Sequence, residues 1–156
     1  MNCSMGQNYC LDLRVKTIRE EGDMSVLIDQ LKKEHSEIFA ELKTANDLGI
    51  ITKEGQDRLL STKADLLAHL KNEDEHLYPV LRKEAEINKH LESTLDSFSS
   101  EMENITKSVL EFFGKYSDGV LDSKYVDVFE TLYATLSARM RNEESVLFAE
   151  YEKINP

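Results

Sequence analysis

Three side chains able to hold a cation, His35, His69 and Glu73, stand in stretches of helical periodicity. His69 and Glu73 are spaced i, i+4, so on a helix they project from one face over successive turns and can converge on one ion. Two imidazoles and a carboxylate leave coordination positions open. That donor set suits non-haem Fe(II), with Zn(II) and Mn(II) competing for the same atoms. The alternative is a metal-free polar layer, in which both histidines bond to Glu73 and Arg139 and fix the helix register.

The elements that must position these groups follow from hydrophobic periodicity. Four helical segments are predicted, roughly 25–48, 53–83, 87–116 and 123–153. Gly49, with Thr52 as a cap, marks the first turn, and Ser117, Asp118 and Gly119 mark the last; the middle one, around 82–88, contains neither Gly nor Pro. Short connections make consecutive helices antiparallel, so the expected fold is an all-α, up-down-up-down antiparallel four-helix bundle. Ser25 is the expected N-cap of the first helix, which divides the chain into a short N-terminal leader, 1–23, and the bundle, 24–156.

The inward stripes can be read directly. In the first helix it is Ile28, Leu31, His35, Ile38, Leu42 and Ala45, and the third carries a continuous stripe from Leu91 through Phe98, Met102 and Val109 to Tyr116. The second reads Thr62, Leu66, His69, Glu73, His76 and Val80, and the fourth Leu132, Leu136, Arg139, Glu143 and Val146. Polar groups therefore occupy apolar places, and a buried charge that lacks its partner costs about 3–5 kcal/mol.

Residues equidistant from the turn of an antiparallel pair lie at one height, because each helix rises ~1.5 Å per residue. His35 and His69 are centred on Thr52, Glu73 and Met102 on the second turn, and Met102 and Arg139 just past the third breaker cluster. All four helices thus bring an unusual inward residue to one level. His76 is read as facing the same seam about 10 Å farther along, at the edge of the core. His90 is placed near a helix start on the surface, and Asp74, Glu75 and Glu144 on solvated faces.

The bulk properties agree with one helical domain. Of 156 residues, 31% are charged, and six Gly, two Pro and no Trp suit helices better than sandwiches or barrels. A net charge of −11 argues against nucleic acid or an anionic membrane as partner. Cys3 and Cys10 both lie in the leader, so no disulfide framework supports the body, and no apolar run approaches the ~20 residues of a membrane span. The expectation is a cytoplasmic protein.

Two segments align without gaps, HLKNEDEHLYPVLRKE from His69 and RMRNEESVLFAEYEK from Arg139, and Glu34, His35 and Ile38 lie over Glu101, Met102 and Ile105. The bundle reads as a duplicated helical hairpin. Over about 25–153 the chain resembles the hemerythrin family, in its HHE cation-binding branch, whose pattern is a His on helices one and three and an HxxxE on helices two and four. HxxxE followed by Leu77, Tyr78 and Pro79 is similar to that family's ending, and a proline inside a helix costs ~3 kcal/mol and kinks it.

The resemblance implies His35, His69 and Glu73 as ligands of a first iron and Glu143 as the retained ligand of a second. Met102 and Arg139 stand where the second pair of histidines belongs. Arg139 would then supply, beside Glu73 and Glu143, the positive charge of a missing metal, unless it snorkels outward to the surface. Met102 reads as core packing rather than a ligand.

The leading functional expectation is a domain that holds non-haem iron, mononuclear or asymmetric, or another divalent metal, for O2, NO or iron sensing or handling. No catalytic base or nucleophile is needed for that. The alternatives are a metal-free degenerate bundle acting as a protein-interaction module, a redox enzyme that uses open iron positions, and a b-type haem bundle. Covalent haem is excluded, since no CxxCH occurs. A protein partner or a homo-oligomer fits each of these.

Overall fold

The computed structural model describes residues 17–117 and 123–156. Helix α1 spans Thr17–Leu48. Helix α2, Lys53–Asn72, runs through a π-helical turn at Glu73–Leu77 into α3, Tyr78–Ala85. Helix α4 spans Lys89–Ser117, and α5, Ser123–Asn142, runs through a second π-helical turn at Glu143–Leu147 into α6, Phe148–Ile154. Four helical rods result, and the protein is an all-α four-helix bundle. Among the described residues no helix is long and apolar enough to cross a membrane.

The turns use the chemistry their residues suggest. Gly49 ends α1 at φ 84°, a conformation that costs a side chain but not glycine. Thr52 caps α2 by accepting the Gly55 N–H at 3.1 Å. The middle turn has a cap of its own, Asn88, whose Oδ1 accepts the Leu91 N–H at 3.2 Å. Helix α1 begins at Thr17, so Ser25 lies within it rather than at its cap. One interior glycine, Gly22, costs only about 1 kcal/mol and does not stop a helix. Residues 1–16, with Cys3 and Cys10, and the breaker pair Asp118 and Gly119 lie outside the described residues.

Side-chain pairs fix the antiparallel order. Arg58 meets Glu41 across the first turn, Arg82 meets Ser99 across the second, and Phe112 stacks on Tyr125 across the third connection. Lys32 reaches Glu152 at 3.3 Å, which closes the first rod on the last.

The core is split by a polar layer. One apolar cluster holds Ile38, Leu42, Leu66, Val109, Phe112 and Leu136; the other holds Ile28, Leu31, Leu77, Leu95, Leu147 and Phe148. Between them lie buried His35, His69, Glu73, Arg139 and Glu143. Large apolar side chains on both sides, each stabilising by roughly 1.5–3 kcal/mol when buried, offset the cost of the layer between.

Both π turns move the buried face along by one residue. In an uninterrupted α-helix Glu73 would be followed inward by His76 and Val80, as the periodicity suggests. Instead the Tyr78 N–H bonds back to the Glu73 carbonyl, a wider i→i−5 closure. Leu77 and Leu81 consequently become fully buried, whereas His76 is exposed and bonds the Asn72 carbonyl. The expectation that His76 lines the seam is therefore corrected.

The second hairpin repeats the slip. Leu147 and Phe148 are buried, and Val146, expected inward, is 36% exposed. Pro79 does not cause it, because Ala149 holds the equivalent place in the second half and the same turn forms there. What the two turns share is the need to point both a carboxylate and the following Leu-aromatic pair inward.

Candidate metal centre

Four donor groups converge at mid-height: His35 from α1, His69 from the end of α2, and Glu73 and Glu143 from the first residue of each π turn. One ligating atom from each lies within 4.8 Å of all the others, and all four side chains are buried. The Nε2 atoms of His35 and His69 are 3.0 Å apart. His69 Nε2 is 3.5 Å from Glu73 Oε1, and His35 Nε2 is 3.4 Å from Glu143 Oε2.

The outer ring nitrogens are tied down. His35 Nδ1 is 2.8 Å from Glu144 Oε1 and His69 Nδ1 is 2.8 Å from Glu34 Oε2. An ionised carboxylate only accepts, so each Nδ1 carries the hydrogen and donates it. Both Nε2 lone pairs are thereby directed to the interior, the arrangement a ligating imidazole needs. Phe148 stacks on His35 at 5.4 Å between centroids and holds the ring plane. Glu34 itself is braced by Gln30 and Asn72.

The opposite side of the layer is filled by Arg139. Its Nε donates to Glu143 Oε1 at 2.5 Å, Nη1 to the Phe98 carbonyl at 2.9 Å and to Glu101 at 3.1 Å, and Nη2 to the Tyr78 hydroxyl at 3.0 Å. The guanidinium also lies 4.4 Å from the Phe98 ring centroid. Arg139 is 3% exposed, so it points inward and does not snorkel to the surface. Met102 is partly buried, packs against the Leu42 and Phe112 cluster and takes no part in the donor group. Met102 instead lines a groove that also contains Asp74.

Electrostatics follow from this crowding. Burial pushes the Glu73 carboxyl above its ordinary range, assisted by Glu143, although His69 pulls the other way. Burial opposes charge on His69, but the adjacent Glu73 and Glu34 outweigh it and hold the imidazole above its usual value. Burial also raises the Tyr78 phenol, which keeps it protonated as Arg139's acceptor. Glu73 Oε1 is buried with no hydrogen-bond partner. A carboxylate oxygen so placed, beside two inward imidazole nitrogens, fits a divalent cation.

A four-helix bundle with two histidines and two carboxylates at its waist, drawn from three of its rods, defines a cation-binding bundle. The chain belongs to the hemerythrin HHE cation-binding domain family, whose sequence profile matches residues 26–151. No curated protein and no solved structure matches it.

Periodicity missed three residues of this centre. Glu144 was expected on a solvated face; its carboxylate turns back to His35 while the side chain stays 40% exposed. Glu34 and Tyr78 were noted only as members of the repeat and the Leu-Tyr-Pro ending. The usable signal for the first two was adjacency, since each carboxylate directly neighbours an inward polar residue in sequence, Glu34 beside His35 and Glu144 beside Glu143.

Proposed function

We propose that this domain holds one non-haem divalent cation, iron in the cell, through His35, His69 and Glu73 with Glu143 as a fourth donor, and serves in O2, NO or iron sensing or handling. The observation that carries this reading is a buried Glu73 oxygen that accepts no hydrogen bond although His69 Nε2 lies 3.5 Å away. A metal-free polar layer would leave that oxygen desolvated at a cost of about 1–3 kcal/mol or more. Iron bound there would supply a Lewis acid and a one-electron couple.

A single ion is favoured because Arg139 already places a fixed positive charge against Glu143 and fills the space between α4 and α5. Sensing or handling is favoured over turnover because the remaining polar groups of the layer are engaged: Arg139 makes four hydrogen bonds, and Tyr78 is kept protonated. We place the protein in the cytoplasm on its cysteine usage, Cys3 and Cys10 alone.

Metal analysis of protein purified without chelator, together with its absorption spectrum, tests this. About one equivalent of iron is expected. Two equivalents would overturn the single-ion reading, a Soret band would indicate haem, and no metal together with no uptake of added Fe(II) would favour the interaction module.

A further inference from the structure

Glu34 and Glu144 sit outside the donor cluster and remain partly open to water, with side chains 24% and 40% exposed, yet each is aimed at one imidazole. Glu34 also lines an open cleft of about 720 Å³ between α1 and α2 whose wall includes Asn72 and His69. The two contacts are built differently: Glu34 reaches its histidine across the α1–α2 pair, and Glu144 reaches back to α1 from the π turn that also carries Glu143. Without these acceptors each ring would be free to carry its hydrogen on Nε2, the atom that faces inward.

The duplicated hairpin supplies a second, internal instance. Glu101 occupies in the second half the place of Glu34 in the first, and it bonds Arg139, which occupies the place of His69. Asp74 occupies the place of Glu144 and lines one groove with Met102, the residue in the place of His35. Where the inner group is still polar, in three of these four places, the outer carboxylate holds it. Where the inner group is Met102, the outer carboxylate is exposed.

We propose that Glu34 and Glu144 are positioning residues that set the affinity of the cation site, each by fixing its histidine with Nδ1 protonated and Nε2 directed inward. This rests on the single-cation reading above. It makes two part-exposed carboxylates the control points of a buried site, because outer partners of ligating histidines typically change metal affinity by roughly tenfold to a hundredfold.

The test is a Zn(II) titration of the full chain as wild type, Glu34→Ala, Glu144→Ala, Glu34→Gln and Glu144→Gln, with Glu37→Ala as control, since Glu37 lines the same cleft but is exposed and pairs with Lys33 rather than with a histidine. Each of the two site alanine variants is expected to weaken binding by roughly tenfold to a hundredfold. The glutamine variants keep an acceptor and should recover most of the loss, and the metal-free melts should stay within a few degrees of wild type. Unchanged affinity in both alanine variants overturns the proposal. So does a loss of affinity that tracks a loss of metal-free stability and is not rescued by glutamine.

Imidazole 15N spectra of the metal-free protein separate this from the metal reading itself. Both rings should show a protonated Nδ1, lost at His69 in Glu34→Ala and at His35 in Glu144→Ala. Wild type that takes up no Zn(II) but shows these signals would sink the metal reading and leave the positioning role; signals unaffected by either substitution would overturn the positioning role.

Discussion

His35 and His69 face each other through their Nε2 atoms at 3.0 Å, and neither ring can turn away, because its Nδ1 is held by a carboxylate on the far side. Two lone pairs at that distance repel unless a proton or a cation lies between them. In the metal-free protein a proton is favoured on His69, because Glu73 and Glu34 raise its affinity for one against the effect of burial.

That shared proton gives the metal-free protein a pH dependence of definite sign. Burial raises Glu73 above its ordinary 4.5, and His69 is raised above 6.5 once its carboxylates outweigh burial. Groups with raised folded values stabilise fully below their unfolded values and lose that contribution as pH rises through the folded ones. The urea midpoint of chelator-treated protein is therefore expected to fall from about pH 5 to about pH 8, whereas Zn(II)-saturated protein should instead gain over the same range, since ligands bind metal deprotonated. A metal-free midpoint that climbs across this window would contradict the assignment.

The donor set predicts a simple substitution pattern. His35→Ala, His69→Ala and Glu73→Ala are each expected to remove most bound metal, measured by elemental analysis after dialysis. His90→Ala should leave it intact, because His90 is exposed on the first turn of α4. Equal damage from His90→Ala would place the site elsewhere.

Arg139 is expected to be structural in the metal-free protein. Its side chain is buried and it neutralises Glu143 while binding Phe98, Glu101 and Tyr78. Arg139→Ala should cost about 3–5 kcal/mol by denaturant unfolding, since it strands a buried carboxylate. A cost within about 0.5 kcal/mol, the range of ordinary surface changes, would mean that Arg139 is not the partner described.

The second half of the layer should also be rebuildable. With Glu101 and Asp74 already standing where outer carboxylates are needed, Met102→His combined with Arg139→His restores an imidazole pair against Glu143 and Glu73. Bound metal is expected to rise from one toward two ions per chain. A ratio that stays at one would show that the space around Met102 no longer admits a second site.

The register slip can be checked by packing. Leu77 and Leu147 are fully buried just past the carboxylates, so truncating either to alanine should cost about 2–5 kcal/mol. His76→Ala and Val146→Ala should stay within about 0.5 kcal/mol. The reverse order in chemical unfolding would restore the uninterrupted helical phase.

The sequence by itself determined the four helices, the turn at Gly49 and Thr52, and the height at which His35 meets His69. These depend on local capping and on a helical rise common to all residues, so spacing is enough to read them. The i, i+4 placement of His69 with Glu73 and of Arg139 with Glu143 was legible for the same reason. Only the tertiary structure decided what lies beyond the first residue of each π turn, because a single added residue rotates every later side chain by about 100° and leaves no mark in composition. That is why His76 and Val146 faced inward on paper and face outward in the fold, with Leu77 and Leu147 in their place. Glu34 and Glu144 were likewise decided in three dimensions. On its own helix Glu144 reads as solvated and Glu34 only as a member of the repeat, and only the neighbouring rod brings an imidazole Nδ1 within 2.8 Å of each.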